Sequence, residues 1–181
     1  MPPTLQPAPI VRQLIDWGAA LKAAVIGGTA LLLATVFLTQ FFKPGFSPEM
    51  MTRYFASALL GNDILAATPD NPLTWRAYLG LGLFHFALAV TFSMVVAFVV
   101  HRWSILWSAV AGGLLGLCLY AFNIYAVTTL LPHFFVLESG FFLGAHVCFG
   151  ALVGALYEAF EFEVFVDADG NVINLGSGTT T

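Results

Sequence analysis

Two histidines lie deep inside long apolar runs of the sequence, where burying a titratable side chain is costly. His85 and His146 each stand the same number of residues after the start of their runs, about 12 Å at 1.5 Å per residue. Asn123 and Thr35 fall at a similar depth in two further runs, and Tyr120 lies about one helical turn from Asn123. Because lipid offers polar groups no hydrogen-bond partner, we expect these five side chains to meet in one polar layer.

Three kinds of chemistry fit such a polar layer. It could be a hydrogen-bonded cluster that fixes the register of the helices. It could bind a small hydrophobic ligand or a proton, because imidazole titrates near neutral pH. It could also hold haem b between His85 and His146, since two histidines at equal depth on different helices can both ligate iron.

Catalytic motifs do not accompany the layer. The sequence lacks a glycine-rich phosphate loop, a Gly-x-Ser-x-Gly elbow and a His-Glu-x-x-His pair. The net charge of −4 gives no reason to expect a nucleic-acid partner. We therefore expect a protein that is not an enzyme and that, apart from the haem alternative, carries no cofactor and no metal.

The elements that must position these residues are membrane-spanning helices. Hydrophobic residues make up 59% of the 181-residue chain and charged residues only 9%, far below the roughly 25% of soluble proteins. A spanning helix needs about 20 mostly apolar residues. Four stretches meet that requirement, and we expect an all-α, multi-pass, four-helix bundle in contact with membrane lipids. The predicted spans are residues 20–42, 77–100, 105–131 and 138–160, which together form one transmembrane domain over residues 20–160.

The long loop after the first span carries a helix signal. Ser47 is a good N-cap, Pro48 suits the first helical position, and Gly61 suits the position after the last turn. Between them Met51, Tyr54, Phe55, Ala58 and Leu59 recur on one helical face. This pattern predicts an amphipathic helix over residues 48–60. It would either lie in the membrane interface or cover a site inside the bundle.

Glycines at helical spacing mark the faces where spans approach closely. The pairs Gly112 and Gly116, Gly140 and Gly144, and Gly150 and Gly154 are each four residues apart. Small residues let helix backbones come together in lipid. Such faces would serve packing within the chain, self-association, or contact with other membrane-protein subunits.

The two ends of the chain differ from the spans in composition. Residues 1–19 form an N-terminal segment, and residues 161–181 form a short polar tail. In the tail, Asp-Gly between valines predicts a hairpin turn, and residues 176–181 are expected to be disordered. An even number of spans puts both ends on one side. Arg102, in the tight turn on that side, favours the cytoplasm.

Several short motifs resemble a known family. They are Phe55-Ala-Ser-Ala-Leu-Leu-Gly61, Leu79-Gly-Leu-Gly-Leu-Phe-His-Phe86, the glycine-rich span from Gly112 to Tyr125 with Leu131-Pro132 beyond it, and His146-x-x-Phe-Gly150. Their order over about residues 50 to 157 resembles the YagU-like family of small bacterial inner-membrane proteins. The resemblance implies the cell inner membrane, four spans, a loop helix and two span histidines. It implies no activity and no cofactor.

The leading functional expectation is a non-enzymatic structural or accessory subunit of a larger membrane complex. The compact bundle, the glycine-rich faces and the individual ends motivate it. The alternative is a protein that binds or translocates a small ligand, a proton or haem at the layer around His85 and His146.

Overall fold

A computed structural model describes residues 12–162, 164–166 and 172–173 of the chain. In that part the chain forms five α-helices, which are α1 Trp17–Phe42, α2 Pro48–Leu60, α3 Trp75–Val100, α4 Ile105–Tyr125 and α5 Gly140–Phe160. Short 3₁₀ helices cover Asn62–Leu65, Val127–Thr129 and Pro132–Leu137. Two-residue strands, β1 Arg12–Gln13, β2 Phe165–Val166 and β3 Val172–Ile173, flank the helical part.

Four helices of the described part are long and apolar enough to cross a bilayer: α1, α3, α4 with the turn that follows it, and α5. Large apolar side chains cover their outer surfaces, such as Phe41, which is 78% exposed, and Phe98, which is 66% exposed. Exposure of this kind suits a hydrocarbon solvent. The predicted all-α, four-span membrane bundle is therefore confirmed.

The bundle packs around α1 and α5. Helix α1 lies against α3 and α5, α4 lies along α5, and α2 packs on α3. Near the chain ends the core is built from small and aromatic residues, including Ala20, Val96 and Tyr157. On the long-loop side it is richer in aromatic residues, including Phe46, Phe134 and Phe142.

Three helices begin at residues that differ slightly from the predicted span starts, and side-chain caps explain two of the differences. Helix α1 begins at Trp17 rather than at residue 20, because Asp16 Oδ1 accepts the Ala19 N–H at 2.9 Å. Helix α5 begins at Gly140 rather than at residue 138. Its cap is Ser139, whose Oγ accepts the Phe142 N–H at 3.3 Å. Helix α3 begins at Trp75, two residues before its predicted start.

The third span is shorter than predicted as an α-helix. It ends at Tyr125 instead of running to residue 131, and the chain continues as a 3₁₀ turn from Val127 to Thr129. The hydroxyls of Thr128 and Thr129 donate to the carbonyl oxygens of Ile124 and Ala126. These side chains satisfy carbonyls at the helix end, which lets the backbone leave the α-helical path.

Helix α2 has the predicted bounds, but its buried face agrees with the prediction only in part. Met51 packs in the core as predicted. Leu59, expected on the apolar face, is 53% exposed, whereas Arg53 is only 3% exposed. The backbone of Ala56 lies so close to Gly80 of α3 that a Cβ on Gly80 would approach it within 3.3 Å. The helix therefore packs on the bundle, which favours the covering role over a free position in the interface.

The two ends of the chain meet beyond α1 and α5. Strand β1 pairs antiparallel with β2, and β2 with β3, so Val166 stands opposite both Arg12 and Val172. The β2–β3 pairing agrees with the predicted hairpin. Its turn, residues 1–11 and the stretch predicted to be disordered all lie outside the described residues.

A hydrogen-bonded cap joins these ends to the bundle. The Tyr157 hydroxyl donates to Glu161 Oε1 at 2.8 Å and accepts the Asp16 N–H at 3.3 Å. Burial of the Asp16 carboxyl raises its pKa, but hydrogen bonds from the backbone N–H groups of Ala19, Phe162 and Gly18 outweigh that effect. The pKa of Asp16 is consequently below its ordinary value, and Asp16 is held as a carboxylate.

Candidate functional site

A cavity of about 80 Å³ lies inside the bundle on the long-loop side. Helices α1, α3, α4 and α5 form its walls. Met51 and Phe55 of α2, with Phe134 and Leu137 of the 3₁₀ helix at Pro132–Leu137, contribute to its lining from the loop side. Four of the five residues predicted for the polar layer line this one cavity, and they are Thr35, His85, Asn123 and His146.

His146 is held in one tautomer by partners on two helices. Its Nδ1 lies 2.7 Å from the carbonyl oxygen of Phe142, which can only accept, so Nδ1 carries the proton. Its Nε2 lies 3.2 Å from Nδ2 of Asn123 and must therefore accept that amide's hydrogen. Both ring nitrogens are thus engaged, and the pair ties α5 to α4.

His85 is the more deeply buried of the two histidines and ties α3 to α1. It is 7% exposed, and its Nε2 donates to the carbonyl oxygen of Gly28 at 2.8 Å. A donating Nε2 leaves Nδ1 as the accepting atom of the neutral ring. Within the part of the chain that the structure describes, nothing hydrogen-bonds to this Nδ1.

Thr35 and Tyr120, the remaining layer residues, have different roles. The Thr35 hydroxyl donates to the carbonyl oxygen of Leu31, one turn back, and Thr35 lines the cavity. Tyr120 is not part of the lining. Its hydroxyl accepts the Ser139 N–H at 3.2 Å, and its ring meets the His146 ring edge-on at 5.7 Å between centroids. Tyr120 therefore packs against the His146 ring and does not line the cavity.

The elements that cover the cavity on the long-loop side form its roof: α2 with the loop after it, and the 3₁₀ helix at Pro132–Leu137. A buried arginine, whose role the sequence did not reveal, stabilises this roof. The Arg53 guanidinium pairs with Glu49 at 2.9 Å and donates to the carbonyl oxygens of Ile64, Ala66 and Asn71. These bonds fasten the loop after α2 to the helix. The Glu49–Arg53 spacing of four residues was visible in the sequence, but the three carbonyl partners depend on how the loop folds.

A second contact of the roof joins α2 to the 3₁₀ helix at Pro132–Leu137. The Ser57 hydroxyl donates to the Tyr54 carbonyl oxygen and accepts from Nε2 of His133 at 2.8 Å. Burial lowers the pKa of His133, and a backbone hydrogen bond at Tyr54 offsets part of that shift. The signal in the sequence was Ser57 itself, a polar residue within an apolar stretch of α2, which indicated that its hydroxyl needs a polar partner.

Glycines bring the backbones of α4 and α5 into direct contact. A Cβ at Gly112 would collide with the carbonyl oxygen of Gly150, one at Gly116 with that of His146, and one at Gly154 with that of Ser108. These two predicted glycine faces thus serve packing within the chain. The contact also fixes the position of His146, because its own backbone is part of it.

The third predicted glycine face remains open. A groove of about 410 Å³ runs along the outside of the bundle between α1 and α5. Its lining consists of small and apolar residues, among them Gly27, Ala34, Gly140, Gly144 and Cys148. In the part of the chain that the structure describes, nothing lies within 4 Å of the position that a Cβ would take on Gly140 or Gly144.

Metal-ligand clusters are not found in the described part of the chain, where no three His, Cys, Asp or Glu side chains come together. Scans against models of protein families, against curated proteins and against solved structures each find no match for the sequence. The resemblance to the YagU-like family therefore stays a prediction.

Proposed function

We propose that this multi-pass membrane protein is a non-enzymatic accessory subunit that docks onto a transmembrane helix of another membrane protein through the α1–α5 groove. The groove is the observation that carries the proposal. Gly140, Gly144, Cys148 and Leu152 follow one another at intervals of four residues along one wall. Such a row is the kind of surface into which a neighbouring helix can pack.

The contrast between the two glycine faces of α5 supports this proposal. Gly150 and Gly154 are filled by the backbone of α4, whereas Gly140 and Gly144 have open space outside them. Helices in lipid associate mainly through close packing, to which small residues give access. A face of small residues without a neighbour in the chain is therefore suited to a helix from outside it.

The histidine layer supports a structural rather than a catalytic role. His146 has both ring nitrogens engaged by protein groups, and His85 uses its Nε2 to hold α1. Haem ligation gains no support from this geometry, because each Nε2 already has a partner. The cavity of about 80 Å³ is also well below the roughly 300 Å³ at which pockets for drug-sized ligands begin.

We further propose that the protein lies in the cell inner membrane with its ends in the cytoplasm. Arg102, in the tight turn between α3 and α4, supports this orientation through the positive-inside rule. Arg53, on the opposite side, is buried against Glu49 and backbone carbonyls, which leaves Lys43 and Arg76 as the exposed or half-exposed cations of the long loop.

The test is purification of the tagged chain in native-lipid discs, with Gly144→Leu to fill the groove. We expect the unmodified chain to bring down one companion membrane protein in fixed stoichiometry, and Gly144→Leu to lose it. Gly82→Leu on α3 is the matched control, because it also has nothing within 4 Å of its Cβ position but lies outside the groove.

Gly82→Leu should keep the companion. A chain that purifies as a monomer with lipid alone, or a Gly144→Leu variant that retains its companion, would contradict the proposal. A second copy of the chain as the sole companion would show self-association instead.

A further inference from the structure

We propose that the cavity lined by Thr35, His85, Asn123 and His146 binds a small neutral hydrogen-bond donor. The ligand is either a cluster of about two or three water molecules or one small hydroxyl solute of that size. This site is separate from the groove proposed for docking, and it does not depend on any partner protein.

The direction of the hydrogen bonds decides which chemistry the cavity accepts. His85 donates through Nε2, so its Nδ1 offers a lone pair. Asn123 gives its amide N–H to His146, so its Oδ1 remains an acceptor. The Thr35 hydroxyl donates its hydrogen bond to the Leu31 carbonyl oxygen, which leaves the hydroxyl oxygen able to accept one.

Within the described part of the chain, no group donates a hydrogen bond to any of these three acceptors. An acceptor in an apolar site is unfavourable when it has no donor. All three belong to residues that line the same cavity, so one molecule or a small cluster with O–H or N–H groups can satisfy them together. A ligand that only accepts hydrogen bonds would find few partners there.

Volume sets the size of that ligand. Liquid water occupies about 30 Å³ per molecule, so a cavity of about 80 Å³ suits about two or three molecules. A primary alcohol with one or two carbons is of comparable size. Larger hydrophobic ligands would require the roof of α2 and the 3₁₀ helix at Pro132–Leu137 to move.

Charge sets the third property of the ligand. Among the described residues, the lining includes no Asp, Glu, Lys or Arg. Its other members are apolar residues, five of them phenylalanines: Phe55, Phe84, Phe134, Phe142 and Phe149. A charged guest at this depth in the membrane would have no counter-charge to offset its lost hydration. The guest is therefore neutral.

The experiment uses the full chain, labelled with ¹⁵N-histidine, in lipid nanodiscs. Magnetisation is transferred from water protons to the imidazole nitrogens, and the His85 signal is assigned by its loss in His85→Phe. His101, exposed in the turn after α3, is the positive control. We expect water to reach the His85 ring as it reaches His101. A His85 ring that receives no transfer from water or from the solute used below overturns the proposal.

Matched variants test the acceptors. Thr35→Val combined with Asn123→Leu and His146→Phe removes the acceptors of Thr35 and Asn123 without freeing Nε2 of His146, and apolar cavities stay dry. We expect the transfer to His85 to be lost. Thr29→Val is the control, since Thr29 makes the same hydrogen bond one turn back on α1 but faces outward. If the combined variant does not fold, the unmodified chain still decides the question, because a dry His85 is sufficient to reject the site.

A second arm separates the two sources of the donor. ¹³C-methanol is added, and cross-peaks from its methyl group to the His85 ring are sought. Methanol cross-peaks together with loss of the water transfer assign the site to small solutes. Water transfer that persists at every methanol concentration assigns it to water. Absence of both signals rejects the proposal.

Discussion

His146 connects two helices of the bundle, because each of its ring nitrogens makes a hydrogen bond in a fixed direction. The ring is fixed by the Phe142 carbonyl on its own helix and by Asn123 on α4. Neither bond can be satisfied by lipid, so the pair specifies the register of the two helices. That structural role is compatible with a ligand in the cavity, because the ligand would bind to acceptor atoms that the His146–Asn123 hydrogen bond does not use.

A double-mutant cycle on this pair measures its contribution. Asn123→Leu, His146→Phe and the double variant are compared by thermal unfolding in detergent. We expect a coupling energy of about 1 kcal/mol, in the range known for hydrogen bonds between membrane helices. Strictly additive effects would show that the pair contributes nothing to stability.

The glycines of the α4–α5 contact allow a sharper prediction at the same scale. Gly150→Ala places a methyl group against the carbonyl oxygen of Gly112, where backbone meets backbone and neither can move cheaply. We expect a loss of more than about 2 kcal/mol, measured by the denaturant midpoint. Gly82→Ala is the control and should be nearly neutral, because its Cβ would meet open space. Equal effects at the two positions would mean that helix propensity alone is being measured.

At this scale much of the site could be predicted from the sequence. Equal depth on neighbouring helices brings together four residues of the predicted layer, which are Thr35, His85, Asn123 and His146. Depth could be predicted because it follows from counting residues along each span. Tyr120 was predicted to lie near them, but its hydroxyl is directed to Ser139, since the three residues between Tyr120 and Asn123 are about 60° short of a full helical turn. The Ser57–His133 contact was missed, because its partners are far apart in sequence and lie on segments without a shared periodicity.

At the scale of elements, α2 and its loop form the roof of the cavity, and Arg53 is the main fastening. Arg53→Gln removes the bonds to Glu49 and to most of the loop carbonyls. We expect local destabilisation of about 2 kcal/mol, seen as faster hydrogen exchange over residues 62–71.

Arg76→Gln, at the exposed start of α3, should leave that exchange unchanged. If both variants exchange alike, Arg53 is not the fastening of the roof.

The contact of α2 with His133 should make the roof sensitive to pH. Burial lowers the pKa of His133 in the folded protein, so the unfolded chain binds the proton more readily between the two pKa values. The stability contributed by neutral His133 is therefore complete above about pH 6.5 and declines as the pH falls through that window. We expect exchange in α2 to quicken below about pH 6.5.

His133→Gln should remove most of that pH dependence while keeping a donor for Ser57. A pH profile that is identical in the two proteins would assign the effect to another group.

The bounds of α2 were predictable from the residues at its ends. Ser47 and Pro48 define the start of α2 correctly from the sequence. The end of the third span was not predictable from hydropathy, because the residues after Tyr125 stay apolar while the backbone turns into 3₁₀ geometry. The buried face of α2 was predicted only in part, because apolarity does not reveal that a paired arginine can face inward.

At the scale of the whole molecule, the bundle has two kinds of outer surface. Most of it carries large apolar side chains suited to fluid lipid, and the α1–α5 groove carries small ones. The sequence predicted both kinds of residue but not their separation, since the same four-residue spacing serves the inner and the outer glycine face. Which face is used within the chain depends on how the helices are arranged in space.

The antiparallel pairing of β1 with β2 has a consequence for the way the chain is connected. The first and last spanning helices are neighbours, and the strands before and after them are side by side. Because the first and last spanning helices are adjacent, the two chain ends could be joined and the chain opened at another loop without changing which helices are neighbours. A circular permutant that joins β2 to β1 by a short linker and opens the turn between α3 and α4 would keep every helix in its present direction. Its new ends would emerge on the same side of the membrane as the old ones.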